Sequence, residues 1–246
     1  MENGAFVGLS RQMVLERQMA LIANNIANIS TPAFKGERMV FVEYLAPTGE
    51  GEELSYVQDL AQVRNLAEGS LTTTGNTFDL AIKGSGYFVV DTPLGQRYTR
   101  NGHFTTDDAG QLTTSVGDPV LDTNGQPIII PEDAVNVTVA QDGSISAGAS
   151  AAFEASNEIG QIKLVSFANE QELDEVGSGL YTTSQTPLPA ADSTVYQGMV
   201  EESNVQPVLE ITRMIATHRA YEATVNLLDA ADRLERTAID VLARVA

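Results

Sequence analysis

The sequence contains no cysteine and no tryptophan, and it holds only two histidines. Without thiols the chain forms no disulfide, no thiolate metal site and no cysteine nucleophile. A zinc site needs three or four ligands, and neither His103 nor His218 has a second histidine at ligand spacing. We therefore expect no metal and no cofactor, and we interpret the two histidines as ordinary side chains of a turn and of a helix.

Positive charge is also scarce. Fourteen Lys and Arg residues stand against 33 Asp and Glu residues, for a net charge of −19 at pH 7. Nucleic acids and anionic membranes attract clustered positive charge, and the sequence has no basic run. It has no run of about 20 apolar residues that would cross a membrane. We therefore expect no nucleic-acid partner and no direct membrane insertion, and Arg11, Glu16 and Arg17 interrupt the start too early for a secretory signal.

Catalytic motifs are missing as well. Gly84-Ser85-Gly86 lacks the third glycine of a dinucleotide loop and precedes a strand, so a turn is the better interpretation. Asp122-Thr123-Asn124-Gly125 resembles the start of a calcium loop, but Pro127 stands where that loop needs glycine. The many carboxylates do not single out an acid/base pair. We therefore predict that the protein is not an enzyme.

A helical pattern covers the N-terminal segment from about Asn3 to Ile29. Its apolar residues recur in steps of 3 and 4, which is typical of one face of a helix: Leu15, Met19, Ile22, Ile26 and Ile29. The helix must end at Ser30-Thr31-Pro32, because the residue before a proline is disfavoured in the α conformation. Beside the stripe lie Asn24, Asn25 and Asn28, although Asn is about 0.5 kcal/mol worse than Ala in a helix. We hypothesise that these amides form hydrogen bonds between chains and fix register.

The middle of the chain has a β pattern. From 76 to 182, short alternating apolar runs are separated by Asn-Gly and Asp-Gly pairs such as Asn101-Gly102, Asn124-Gly125 and Asp142-Gly143, which supply the positive φ angles of tight turns. We predict an all-β domain there. The segments 36–75 and 183–204 are interpreted as linkers or extended segments, with 55–69 undecided between strand and helix.

A second helical pattern runs from Val205 to Ala246, and Ser203-Asn204 followed by Pro207 is a plausible start signal. Each terminal helix has one apolar stripe and no neighbour in the sequence that would cover it. Isolated amphipathic helices are unstable in water, so the two must pair with each other, with other copies, or with both. The predicted fold class is therefore α+β, with paired terminal helices of the coiled-coil type and a central all-β domain inserted between them.

Three blocks of the sequence carry a family resemblance. The first is Ala23-Asn24-Asn25-Ile26-Ala27-Asn28 followed by Thr31-Pro32-Ala33-Phe34-Lys35. The second runs from Gly75 to Phe88 and continues from Tyr98 to Phe104. The third contains Ser203-Asn204-Val205, Met214-Ile215 and His218-Arg219-Ala220-Tyr221-Glu222. In this order the blocks resemble the bacterial flagellar basal-body rod and hook family, most of all its proximal-rod members and next its distal-rod members. The family pattern has glycine where this chain has Ala33.

This resemblance implies a structural subunit of the flagellar drive shaft that transmits torque. It implies assembly with further copies and with other rod subunits, and export by the flagellar type III apparatus without a cleaved signal to the periplasmic rod of the basal body. It also implies that residues 1–35 and 205–246 form an inner helical domain, with 76–182 outside it. The candidate self-assembly interface comprises Leu15, Met19, Ile22, Asn24, Asn25, Ile26, Asn28, Val205, Met214, Ile215, Arg219, Tyr221, Glu222, Leu228 and Leu234.

Two other functions stay open at this stage. A secreted β-domain could bind a ligand while the helices form a self-contained hairpin, and sedimentation would then show a compact monomer. A hydrolase could use two of the carboxylates, and a bell-shaped pH–rate profile would reveal it.

Overall fold

A computed structural model describes residues 2–47, 53–132, 134, 136–148 and 157–245. The chain forms two compact units. We call one the helical unit; it contains Met1–Ile29, Gly36–Asn65 and Val205–Ala246. The other, the β-rich unit, contains Ser30–Lys35 and Leu66–Asn204. Helices at both ends and strands between them confirm the predicted α+β class.

The helical unit holds two long helices and one β-hairpin. Its elements are α1 (Glu2–Ala27), β1 (Glu37–Pro47), β2 (Glu53–Arg64) and α2 (Pro207–Val245). α1 ends shortly before Pro32, and α2 begins at Pro207, where the missing N–H of proline leaves no donor unsatisfied. Both ends therefore lie close to where the sequence places them.

The segment 36–75, interpreted from the sequence as a linker or extended segment, contains this hairpin. β1 and β2 pair antiparallel from Glu37 opposite Arg64 to Pro47 opposite Glu53, with an irregularity between Val40 and Phe41. The acidic stretch between β1 and β2 suggested a flexible loop, and nothing in the local pattern marked the two segments as paired strands. The pattern of 55–69 fits either a strand or a helix, and pairing with β1 decides it as a strand up to Arg64.

The β-rich unit is built from short strands. They are β3 (Leu71–Thr73), β4 (Leu80–Lys83), β5 (Tyr87–Thr92), β6 (Gly95–Thr99), β7 (Phe104–Thr106), β8 (Leu112–Thr114), β9 (Asn136–Val139), β10 (Ser144–Gly148), β11 (Asn157–Gln161), β12 (Leu164–Ser166), β13 (Asp174–Gly177), β14 (Leu180–Thr182), β15 (Leu188–Pro189), β16 (Thr194–Gln197) and β17 (Met199–Glu201). A 3₁₀ turn spans Glu170–Glu172.

The largest sheet has the strand order β13-β14-β6-β5-β12-β15 and is antiparallel throughout. β5 lies near its centre, and its side chains alternate between two apolar clusters. Phe88 and Val90 belong to one cluster, and Tyr87 and Val89 belong to the other. Burial on both faces explains why the sequence of β5 is a continuous apolar run without alternation.

The segment 183–204, also interpreted as a linker or extended segment, contains three paired strands. β15 pairs with β12, β16 with β4, and β17 with β3. Val195 of β16 is 1% exposed, which makes this stretch part of the core. Its prolines and lack of periodicity suggested a linker. However, β16 and β17 pair with strands more than 100 residues earlier, and this pairing decides their conformation.

The turn glycines mostly behave as predicted. Gly125 and Gly143 have φ angles of +79° and +85°, and Gly125 N–H donates to the carbonyl of Asp122 at 2.9 Å, which makes the segment a tight turn. Gly102 is an exception, since it is absent from the positive-φ glycines of the described residues. Its role is close approach: a Cβ there would lie 1.6 Å from the carbonyl oxygen of Leu80.

Candidate self-assembly interface

The two helices of the helical unit contact each other closely. Gln12 Nε2 donates a hydrogen bond to the Tyr221 hydroxyl at 2.8 Å. A Cβ on Gly8 would lie 2.5 Å from Leu228 Cδ2, so the leucine occupies the space that a larger residue would need. The predicted pairing of the terminal helices therefore occurs within one chain.

The buried positions of α2 are unexpectedly polar. Glu210, Thr217 and Thr224 follow one another in steps of seven, and each is at most 6% exposed. Thr224 Oγ1 donates to the carbonyl of Ala220 at 2.9 Å, and Glu210 accepts from Arg213 Nη1 at 2.5 Å. Polar groups with local partners tolerate burial, but they supply little apolar stabilisation.

Large apolar side chains lie on the outside of both helices. On α1 they are Phe6, Leu9 and Met13, which are 63%, 51% and 50% exposed and follow steps of 3 and 4. On α2 they are Val208, Leu209, Ile211, Ile215, Leu227 and Leu234, with exposures between 43% and 79%. Burying such a side chain is worth about 1.5–3 kcal/mol, and contiguous exposed apolar surface marks interaction sites. This arrangement is suited to association.

The fifteen predicted interface residues fall into three groups. Two are buried: Ile22 and Asn25. Eight are half-buried: Leu15, Met19, Ile26, Asn28, Val205, Met214, Tyr221 and Leu228. Five are exposed: Asn24, Ile215, Arg219, Glu222 and Leu234.

Sequence reasoning missed most of the exposed apolar residues. Phe6, Leu9 and Met13 form a second stripe on α1, and Val208 and Ile211 precede Ile215 on α2 with the same spacing. These residues recur in steps of 3 and 4, a spacing that is visible in the sequence. It was overlooked because each helix was assigned a single stripe.

Asn25 has a partner within its own chain. Its Nδ2 donates to the carbonyl of Glu37 at 2.8 Å, and the backbone N–H of Glu37 donates to its Oδ1 at 2.9 Å. The amide thus completes the backbone of the first β1 residue and ties α1 to the hairpin. Asn28 Nδ2 donates to the carbonyl of Asn24 at 3.0 Å. Asn25 therefore has an intrachain role, and the hypothesis that the three asparagines fix register between chains stays a prediction.

Replacing Asn25 by leucine is expected to lower the free energy of unfolding of the helical unit by about 1–3 kcal/mol, because the N–H and C=O of Glu37 lose their partner. Asn24→Leu is the matched control: Asn24 is exposed on the same helix, and a change within about 0.5 kcal/mol is expected. Denaturant unfolding followed by circular dichroism compares the two. Equal stability of both variants would contradict the role given to Asn25.

A buried ionic cluster lies in the β-rich unit, and we call Lys35, Arg100 and Glu201 the buried triad. Lys35 Nζ donates to Glu201 Oε1 at 2.5 Å, and Arg100 Nε donates to Glu201 Oε2 at 3.0 Å. All three side chains are at most 4% exposed. Gly69 N–H also donates to Glu201 Oε1 at 2.9 Å, so both carboxylate oxygens accept hydrogen bonds.

Electrostatics sets the charge state of the triad. Burial alone raises the pKa of Glu201, but Arg100 and then Lys35 outweigh it and hold that pKa below the usual range. Burial lowers the pKa of Lys35, and the Glu201 carboxylate offsets this only in part. Arg100 further donates to the carbonyls of Gly84 and Ile82 at 2.7 and 3.2 Å. The triad therefore joins two cations, one anion and several backbone carbonyls.

The triad also connects the three sequence blocks. Lys35 closes the first block, Arg100 belongs to the second, and Glu201 lies just before the third. Next to it, Asn204 N–H donates to the carbonyl of Phe34 at 3.2 Å, and its side chain donates to the carbonyl of Ala67 at 2.7 Å. Sequence reasoning missed Glu201, because nothing marks one glutamate among many as buried. Its position beside the third block was the one available hint.

Ala33 has a left-handed backbone. Its φ angle is +58°, and its N–H donates to the carbonyl of Glu201 at 2.8 Å. Left-handed geometry costs a residue with a Cβ roughly 1–2 kcal/mol, whereas glycine adopts it freely. The turn thus keeps the geometry suited to the glycine of the family pattern, although this chain carries alanine.

Ala33→Gly is expected to raise the free energy of unfolding of the β-rich unit by about 1 kcal/mol, because it relieves this strain. Ala81, which is fully buried in β4 and has an ordinary φ, is the matched control. Ala81→Gly should destabilise by about 0.5–1 kcal/mol or more, since it adds freedom to the unfolded chain and removes packing. A loss of stability in both variants would refute the strain argument.

The described residues contain no group of three or more His, Asp and Glu side chains arranged to hold a metal ion. His103 Nδ1 lies 2.6 Å from Asp79 Oδ1, and Asp79 also accepts from Thr74 Oγ1 at 2.5 Å. Neither helix, over the part of the chain described, is long and apolar enough to cross a membrane.

Comparison with known proteins covers the whole chain. The family model described as "Flagella basal body rod protein" matches residues 7–35, "Flagellar hook protein FlgE/F/G D1 domain" matches 81–147, and "Flagellar basal body rod FlgEFG protein C-terminal" matches 196–241. The flagellar basal-body rod protein FlgF of Caulobacter vibrioides is 42% identical over 251 aligned residues, which cover 100% of both chains.

The chain belongs to the flagellar basal-body rod protein family. FlgF of Mesorhizobium japonicum is 36% identical over 93% of this chain and 92% of its own. FlgG of Bacillus subtilis, a rod protein too, is 32% identical over 95% and 97%. These relatives confirm the resemblance to the rod family and to its proximal-rod member, FlgF.

This rod protein is a structural subunit of the flagellar basal body, and it assembles with other rod components. Both statements follow from its family. The comparisons give no better support to the alternative of a ligand-binding β-domain.

Proposed function

We propose that this rod protein assembles through its terminal helices and transmits torque as part of a stiff periplasmic tube. The helices would pack in coiled-coil fashion as the inner layer of the rod, with the β-rich unit outside that layer. The chain would act without catalysis, and it would reach the rod through the flagellar type III export apparatus without loss of a signal peptide.

One observation carries the proposal: both helices leave large apolar side chains exposed while polar side chains of α2 are buried. Leu9 is 51% exposed and Ile211 is 50% exposed, while Thr217 is 6% exposed. A monomer would be more stable with the opposite arrangement. Covering the apolar side chains with neighbouring copies gains the hydrophobic stabilisation that the single chain lacks. Dense packing of this kind also resists deformation, as torque transmission requires.

Leu9→Asp and Ile211→Asp, each introduced in place of the natural chain, are expected to abolish rod assembly and motility. Both residues are about half exposed, so the stability of the monomer should change by no more than about 0.5–1 kcal/mol. In a packed interface, the buried carboxylate would be unpaired and therefore strongly unfavourable. Electron microscopy of isolated basal bodies and a swimming assay measure the result.

The matched control is Asn226→Asp, which places the same charge at an exposed polar position of α2. Circular dichroism of the purified chains checks that each variant is folded. Normal rods and normal swimming with both Leu9→Asp and Ile211→Asp would contradict assembly through the helices.

A further inference from the structure

A groove runs between α1 and α2 on one side of the helical unit. It has a volume of about 470 Å³, and its lining includes Val7, Gly8, Arg11, Ala220, Ala223 and Leu227. Most of its lining consists of small or apolar side chains, and Arg11 is the one charged residue among the described residues that line it.

The exposed stripe of α1 has a complementary form. We call Phe6, Leu9 and Met13 the α1 ridge; the next step of three leads to Glu16, which is also exposed. The side chains of the ridge are large and apolar, whereas those that line the groove are mostly small. Ridge and groove can therefore interlock in the way that packed helices do.

Length and charge also match. From Phe6 to Met13 is about 10 Å along a helix, and from Ala220 to Leu227 is the same distance at 1.5 Å per residue. At the end of the ridge Glu16 carries a negative charge, and Arg11 in the groove carries a positive one. An isolated pair of this kind adds little affinity, but it selects orientation and register.

The ridge of a chain is turned away from that chain's own groove. Val7 and Arg11 line the groove, and Leu9 lies two residues from each, which is about 200° around the helix. The ridge of the same chain therefore does not fill this groove, whereas the ridge of a second copy is free to reach it. Because the two surfaces differ, the contact is head-to-tail, and it leaves a free ridge and a free groove at the ends of the growing assembly.

We propose that the α1 ridge of one copy docks into the α1–α2 groove of the next copy, with Glu16 facing Arg11. This inference rests on the proposed function and adds which surface meets which. Other occupants of the groove, such as the ridge of another rod protein, or a symmetric ridge-to-ridge contact, are outcomes that the following test separates.

The absence of cysteine makes disulfide mapping clean. Cells producing both a Leu9→Cys chain and an Ala223→Cys chain, each with a distinguishable tag, supply basal bodies for mild oxidation. We expect a cross-linked species that carries both tags. Asp229→Cys in place of Ala223→Cys is the matched control: Asp229 is exposed on α2 but is absent from the groove lining, and no such species is expected.

Exchanging the charges of Glu16 and Arg11 tests the register of the ridge in the groove. Glu16→Arg and Arg11→Glu alone should each lower the yield of the Leu9–Ala223 cross-link several-fold, and the double variant should restore it. Both sites are exposed on α1, so the purified variants should remain folded.

The possible results distinguish failure of the docking scheme from failure of assembly through the helices. Two results with intact rods would overturn the docking scheme: cross-links only between two Leu9→Cys chains, or no cross-link that involves Ala223→Cys. Either result would still be compatible with assembly through the helices. Cross-linking of the groove to a different rod protein alone also overturns the docking scheme. If rods form normally even with Leu9→Asp and Ile211→Asp, the proposed function fails as well.

Discussion

Replacing Glu201 by glutamine is expected to lower the free energy of unfolding of the β-rich unit by about 3–5 kcal/mol, because Lys35 and Arg100 stay buried without their counter-charge. The three side chains are at most 4% exposed, so water cannot take the place of the carboxylate. For a unit of this size the melting temperature should fall by about 10 °C or more. Thermal unfolding of the purified full-length chain measures the effect.

Glu202→Gln is the matched control. Glu202 is the next residue, but it is exposed and accepts from the hydroxyls of Ser70 and Thr72 at 2.9 and 2.7 Å in contact with solvent. Little change is expected there. A loss for Glu202→Gln as large as for Glu201→Gln would show that the buried triad is not the source of the effect.

Acid provides an independent check on the same carboxylate. The folded pKa of Glu201 lies below its unfolded pKa, so its stabilisation is complete above pH 4.5 and is lost as the pH falls through the folded pKa. The natural chain should therefore lose more stability in acid than Glu201→Gln, and the difference between them should shrink. A difference that stays constant down to the acid transition would speak against the charge argument.

Gly102→Ala should destabilise the same unit by about 3 kcal/mol or more, at or above the usual range for overpacking. The added Cβ would lie 1.6 Å from the carbonyl oxygen of Leu80 and 3.1 Å from Phe88 Cε2. The Leu80 carbonyl belongs to the backbone, so it cannot move out of the way as the end of a flexible side chain can. In addition, the carbonyl of Gly102 accepts from the N–H of Leu80 at 2.9 Å, so any shift disturbs that bond.

The chain offers a matched glycine for this test. Gly160 in β11 also has an ordinary φ, and nothing lies within 4 Å of the position that a Cβ would take. Gly160→Ala should be neutral or stabilise by up to about 1 kcal/mol, because alanine restricts the unfolded chain. Chemical denaturation compares the two variants, and equal behaviour would contradict the close-approach role of Gly102.

The predicted elements differ in how well the sequence determined them. α1 and α2 follow from steps of 3 and 4 and from Pro32 and Pro207, which are local signals. Short strands such as β4 and β5 follow from apolar runs between glycines. The segments 36–75 and 183–204, interpreted as linkers or extended segments, hold the strands β1, β2, β3 and β15 to β17. The partners of β3, β16 and β17 lie more than 100 residues away in the sequence, and no local window contains both halves of those pairs.

The candidate site was predicted in part for the same reason. Helical spacing identified Leu234 as an apolar position, the third sequence block supplied Ile215, and the structure leaves both exposed. The spacing alone does not say which side of a helix its neighbour covers, so the outer residues Phe6 and Ile211 were missed. The glutamate that joins two cations could not be selected from composition, since burial is a property of the folded chain.

By itself the sequence determined the family, the two terminal helices and the β character of the middle, because these depend on local patterns and on three ordered blocks. Only the tertiary structure decided that Asn25 binds the backbone of Glu37, that Lys35, Arg100 and Glu201 meet in one buried cluster, and that the helices present apolar side chains outward. Each of these depends on which distant residues come within a few ångströms of one another. Contacts at that range, unlike helical periodicity, leave no regular trace along the chain.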